Sequence, residues 1–157
     1  MKVSELMVKE VVSCNDTTAL GAVAELMQEH GIGFLPVISS SDGTLVGVVT
    51  DRDGFLAAHS QVRSLWEIPV LSAMSSYVAS VSPDADVGVA ENIMTQFKVH
   101  RLPVVAKDGK LVGIVSISDI ACRANADLNE EMQEEVAATL GAISQARTVE
   151  SMSATGM

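Results

Sequence analysis

Two segments of the chain place a hydroxyl three residues ahead of a carboxylate, Thr50 before Asp53 and Ser116 before Asp119. A carboxylate on the first turn of a helix can accept both hydroxyls of a ribose. A hydroxyl at the end of the preceding strand can donate to the same sugar or to a phosphate. The same spacing also serves a plain strand exit followed by a capped helix, and for the pairs alone both readings stand. His100 and Arg101 add a titratable donor and a fixed bidentate cation, a combination suited to phosphate. The alternative there is a satisfied strand histidine beside a surface salt bridge. Arg52, next to Asp53, is a further candidate phosphate contact.

Catalytic equipment is not visible. His30, His59 and His100 are not spaced as metal ligands, and there is no G-x-S-x-G, P-loop lysine motif or strand-borne G-x-G-x-x-G. Gly31-Ile32-Gly33 reads instead as the loop that ends a helix at His30. Cys14 and Cys122 lie far apart, which gives neither a disulfide framework nor a zinc site; both are expected as small core or strand residues. Twenty acidic against ten basic residues leave a net charge of −10, and aromatic residues make up 3% of the chain. The charge repels nucleic acid and anionic membrane, and the aromatic share is too small for base-stacking platforms. No apolar run approaches the ~18 residues of a membrane span and no signal peptide is visible, so a cytoplasmic protein is expected.

The candidate residues recur because the chain repeats itself. A shift of 67 residues lays Met7 on Met74, Gly21 on Gly88, Met27 on Met94 and Leu35-Pro36-Val37 on Leu102-Pro103-Val104. After a one-residue deletion, Asp42-Gly43 falls on Asp108-Gly109 and Asp53 meets Asp119. Each copy reads as a short strand (Val11–Ser13; Val78–Val81), then a helix opened by Asn15-Asp16 or Ser82-Pro83-Asp84. The helices carry apolar positions at i, i+3, i+7: Leu20, Val23, Met27 and Val87, Ala90, Met94. A hairpin turning at Gly43 or Gly109 follows, and then a last helix capped by Asp53 or Asp119. The order β-α-β-β-α, twice, predicts an α/β (α+β) fold of two small sheets related by a pseudo-twofold axis.

Leu102-Pro103-Val104-Val105, the Asp108-Gly109 turn, Gly113-Ile114-Val115-Ser116 and Asp119-Ile120, with their degenerate twin in the first copy, resemble the cystathionine β-synthase (CBS) domain. That domain occurs as tandem pairs called Bateman modules. The second copy is similar in particular to the γ subunit of AMP-activated protein kinase, through Val99-His100-Arg101-Leu102 and the Ser116-to-Ile120 segment. The resemblance implies a regulatory module that binds adenosyl ligands in the cleft between repeats; His100 and Arg101 make AMP, ADP or ATP the expected ligand, and without a catalytic constellation no enzyme is expected. It gives the ribose role to Asp53 and Asp119 and the hydroxyl role to Thr50, Ser116 and Ser118. It supports the phosphate role of His100 and Arg101, with Arg52, the counterpart of Ser118, as a further candidate from its place beside Asp53, and it gives adenine contacts along the short first strands to Val12, Ser13, Val78 and Ala79. The first copy has Gly33-Phe34 where the second has His100-Arg101, so the two sites are not equivalent. S-adenosylmethionine is the rival ligand, disfavoured because it lacks the phosphate these cations would bind. A dimeric scaffold with an empty cleft is the other alternative. The expected partners are a second copy of the chain and a regulated protein that the sequence does not name.

The expected divisions are repeat 1 over 3–58, a linker over 59–70, repeat 2 over 71–123, an acidic amphipathic helix over 124–147 and a disordered tail over 148–157. Beyond residue 123 the chain carries six acidic residues against Arg147. Met132, Val136, Leu140 and Ile143 recur there as an apolar stripe that needs a partner.

Overall fold

The computed structural model describes residues 1–145; the tail expected over 148–157 lies outside them. In the first repeat β1 (Cys14–Asn15) runs parallel to β2 (Phe34–Ile38), which pairs antiparallel with β3 (Leu45–Thr50). Helices α1 (Leu20–His30) and α2 (Asp51–Gln61) complete it. The second repeat has α3 (Val87–Phe97), the antiparallel pair β4 (Arg101–Val105) and β5 (Leu111–Ser116), and α4 (Ile117–Ala126). Both hairpins keep one register: Phe34 opposes Thr50 as Arg101 opposes Ser116, and both shift register one residue before their turns. The predicted β-α-β-β-α order and two small sheets are thus present, except that the second sheet has two strands.

That exception has a physical cause. The expected first strands, Val11–Ser13 and Val78–Val81, are not ladder strands. Before each of them the chain is engaged with the other repeat: Val8 pairs with Ile114 of β5, and Ser75 pairs with Val48 of β3. It reaches its own sheet only at Cys14, opposite Val37, or in a lone bridge from Val81 to Val104. The reciprocal exchange of leading segments makes the halves pseudo-twofold partners. It also explains Gly47 and Gly113. A Cβ on Gly47 would stand 2.5 Å from Met74 Sδ and 3.0 Å from the Ser75 carbonyl oxygen; on Gly113 it would stand 2.6 Å from Met7 Sδ.

The helix starts differ from expectation too. Helices α1 and α3 open at Leu20 and Val87, behind Ala19 and Asp86, whose side chains make no cap bond. Asp16 instead accepts from the Ser40 amide (3.1 Å), and Asp86 pairs with Lys2 (2.9 Å). The backbone groups next to these helix starts are satisfied across the exchange: Leu20 N–H donates to Ile68 C=O and Val87 N–H to Met1 C=O.

Two hydrophobic clusters form the interior. Val3, in a 3-10 turn over Val3–Glu5, is fully buried in the cluster of repeat 2, while Ile68 and Val70 are fully buried in that of repeat 1. The expected linker therefore contributes core to the first repeat. Each such side chain contributes about 1.5–3 kcal/mol by its burial.

The acidic segment divides into the end of α4 and a separate helix, α5 (Glu130–Ser144), capped by Asn129, whose side chain accepts from the Met132 amide at 3.0 Å. Helix α5 packs on α3 and α4, so its partner is the chain's own second repeat. Its buried stripe is Met132, Val136, Thr139 and Ile143; Leu140 is exposed. Cys14 is buried as expected, and burial pushes its thiol up to about 11. Cys122, expected in the core or a strand, sits exposed on α4. No described helix is long and apolar enough to cross a membrane.

Candidate functional site

Each hydroxyl–carboxylate pair sits where a hairpin's last strand becomes a helix, and in both the local hydrogen bonding is the same. Thr50 Oγ1 donates to Asp53 Oδ2 (2.7 Å) and accepts from the Asp53 amide (3.2 Å), while the Thr50 amide donates to the same oxygen (2.9 Å). Ser116 and Asp119 repeat this at 2.6, 3.2 and 2.8 Å. These are capping boxes, with the hydroxyl at N-cap and the carboxylate at N3. The expectation that the aspartates are themselves the caps is corrected accordingly. The box also commits the hydroxyl proton to Oδ2, so the acceptor left open toward a ligand is Oδ1 of each aspartate, which has no hydrogen bond among the described residues.

A cleft of about 1020 Å³ gathers residues from both repeats. From the first come Thr50, Arg52 and Asp53; from the second come Val78, Ala79, His100 and Arg101. Seven of the twelve expected site residues thus share one cavity. Val12, Ser13, Ser116, Ser118 and Asp119 do not line it. The exchange of segments is the reason: it brings the first strand and basic pair of repeat 2 to the strand-to-helix corner of repeat 1. The repeat alignment sets Asp53 on Asp119 and Ala79 on Val12, so the remaining residues are aligned with members of this lining or their neighbours in the chain. Ser116 is buried, and Ser118 is exposed.

Arg52, His100 and Arg101 form no salt bridge among the described residues, whose ion pairs are Lys2–Asp86, Lys110–Asp108 and Arg123–Asp127. The surface-salt-bridge alternative for Arg101 is therefore not realised there, and its guanidinium is available to an anion. Lys98 also lines the cleft, with Nζ 3.4 Å from the Gln145 carbonyl oxygen. Sequence reasoning passed it over, although the shift by 67 sets it on Gly31, the helix-ending residue of repeat 1. Both take the left-handed conformation, Gly31 at φ 63° and Lys98 at φ 53°. A non-glycine residue held there costs on the order of 1 kcal/mol, so this cation stands at a position the fold would give to glycine. Tyr77 and Phe97 line the cleft as well, their ring centroids 6.0 Å apart, and were missed because the first copy has Glu10 and His30 at their positions. Ser144 and Gln145, at the end of α5, close one side.

The cleft thus combines a carboxylate, a basic group and apolar walls from two half-domains. The CBS domain matches residues 3–58 and 67–124. The chain belongs to the CBS domain family. This CBS pair is 34% identical over 119 residues to the CBS domain-containing protein YhcV of Bacillus subtilis, covering 76% of this chain and 82% of that one. It is 32% identical over 120 residues to MK0525 of Methanopyrus kandleri, covering 76% of this chain and spanning 61% of that protein's length. Among solved structures, CBSX2 in complex with AMP superposes with a TM-score of 0.68 at 27% identity, over 82% of this chain and 98% of that one.

Proposed function

We propose that this CBS pair is a regulatory module that binds AMP, ADP or ATP in the inter-repeat cleft and passes occupancy to a partner protein. The observation that carries the reading is the union, in one cavity, of the Thr50–Asp53 corner with Arg52, Lys98, His100 and Arg101. Asp53 Oδ1 takes the ribose diol, the basic group takes the phosphates, and the Val78–Ala79 main chain with neighbouring apolar side chains takes adenine. That CBSX2 holds AMP supports an adenosyl ligand at such a cleft. The cations favour a phosphate over S-adenosylmethionine. The repeat counterparts of this group, Val12, Ser13, Ser116, Ser118 and Asp119, gain no cation from the positions aligned with His100 and Arg101, which are Gly33 and Phe34 and themselves line the first cleft, and so bind nucleotide more weakly. Nucleotide shifts the packing of the repeats by binding one arrangement better than another, and the chain acts as a homodimer.

A thermal-unfolding panel with AMP, ADP, ATP, S-adenosylmethionine and NAD tests this. Ligand at 100 times its dissociation constant adds about 2.7 kcal/mol of apparent stability. The expected result is a shift with nucleotides, lost in Asp53→Ala and Arg101→Ala and largely kept in Asp119→Ala. No shift with any adenosyl ligand sinks the reading. A full shift in Asp53→Ala means the ribose site is elsewhere, and a shift with S-adenosylmethionine alone removes the phosphate.

A further inference from the structure

Glu91 sits on α3 where that helix meets α5, and it is 5% exposed. Its Oε1 is sealed from solvent and has no hydrogen-bond partner. An ionised carboxylate in such a place is costly unless it is paired, and an isolated one gives up its charge instead. Packing does not demand a carboxylate there, since the equivalent residue of the first repeat is Ala24. Across the interface, Thr139 is buried in an α5 stripe otherwise made of Met132, Val136 and Ile143, and its hydroxyl lies beside Glu91. A hydroxyl serves a neutral carboxyl as donor or acceptor, but gives an anion one hydrogen bond and no countercharge.

The elements packed on α3 bring Glu91 no cation. Helix α5 presents Glu131 and Glu135, both acidic. On α4, Asp119 is held in the capping box with Ser116, and Arg123 is paired with Asp127. Arg101 of β4 lines the nucleotide cleft, and Lys2 with the Met1 amino group acts on Asp86 ahead of α3. Glu91 itself forms no salt bridge among the described residues. Burial, then the neighbouring Glu135 carboxylate, push the Glu91 carboxyl above its ordinary range, against a smaller opposing pull from the Thr139 hydroxyl.

We infer that Glu91 is a proton-linked latch for α5: the helix stays docked on repeat 2 while Glu91 is neutral and comes away as Glu91 ionises. A carboxyl that holds its proton more tightly in the docked state favours docking in acid, and that contribution is lost as pH rises through its docked value. Ile143, Ser144 and Gln145 line the nucleotide cleft, so undocking also removes one of its walls.

Hydrogen exchange of the full chain without nucleotide, corrected for intrinsic rates between about pH 5 and 8, tests this independently of the cleft. Amides of α5 should lose protection by up to about tenfold per pH unit above the docked value, the limit for one proton, while those of β2 and β3 do not. Glu91→Gln should stay protected across the range. Glu91→Ala, after the residue of the first repeat, is a second neutral variant with the same expectation. Glu135→Gln removes the neighbouring charge and should move the decline to lower pH. Retained protection in β2 and β3 establishes that each variant is folded. The inference is overturned if wild-type α5 shows no decline beyond that of β2 and β3, or if the neutral variants decline as the wild type does or leave α5 unprotected throughout. It is overturned equally if Glu135→Gln leaves the decline in place.

Discussion

Lys98 and Val62 both end a helix in the left-handed conformation, at φ 53° and 51°, and the contrast between them separates strain from function. Val62 is β-branched, 89% exposed and remote from the cleft lining, so nothing visible offsets its strain. Lys98 lines the cleft. Replacing either by glycine relieves on the order of 1 kcal/mol, which urea denaturation should register as a higher midpoint. Only Lys98→Gly should also weaken AMP binding, by about tenfold, the loss expected for one hydrogen bond to a charged group. Unchanged AMP affinity in Lys98→Gly would remove Lys98 from the phosphate contacts. A lowered midpoint in Val62→Gly would show that its backbone is not strained.

Helix α5 shows how a stripe is misread by one position. Residues advance about 100° around a helix, which leaves Leu140 about 80° from Met132 but Thr139 within about 20°. Thr139 is buried despite its hydroxyl because that hydroxyl lies beside Glu91. Leucine was the better apolar guess from composition, and a polar neighbour on another helix overrode it. Ile143→Ala should therefore cost about 2–5 kcal/mol, since it empties a packed position, while Leu140→Ala should stay within about 0.5 kcal/mol. Chemical denaturation of the two variants measures the difference, and equal costs would contradict the register of α5 on α3 and α4.

At the scale of the molecule, α5 breaks the pseudo-symmetry. It covers the helices of repeat 2 and leaves those of repeat 1 with exposed apolar side chains, Phe55 at 73% and Leu56 at 47%, with Trp66 at 58% nearby in sequence. Single exposed apolar residues are ordinary, but two large ones side by side on α2 and a third in the turn after it are the apolar exposure on which an association surface would be built. The expected homodimer should use this face of repeat 1. Light scattering on a size-exclusion column should give twice the 16.5 kDa chain mass, and Phe55→Asp should return it to a monomer. A monomeric wild type ends that expectation; a dimer indifferent to Phe55→Asp moves the interface elsewhere.

The duplication, the two hairpins and most of the α1 and α3 cores were legible in the order of residues, because periodicity and turn chemistry are local properties that the chain states twice. The sequence also determined the candidate residue types, Asp53, His100 and Arg101 among them. Which of these share a cavity was decided by tertiary structure alone. Leading segments cross between halves, and the crossing sets the cations of repeat 2 beside the carboxylate of repeat 1. Lys98 and Glu91 escaped the sequence because their neighbours come from distant elements. A lysine at a helix end and a glutamate within a helix are unremarkable in one dimension, and their meaning comes from the cleft and the covering helix that only the folded chain brings to them.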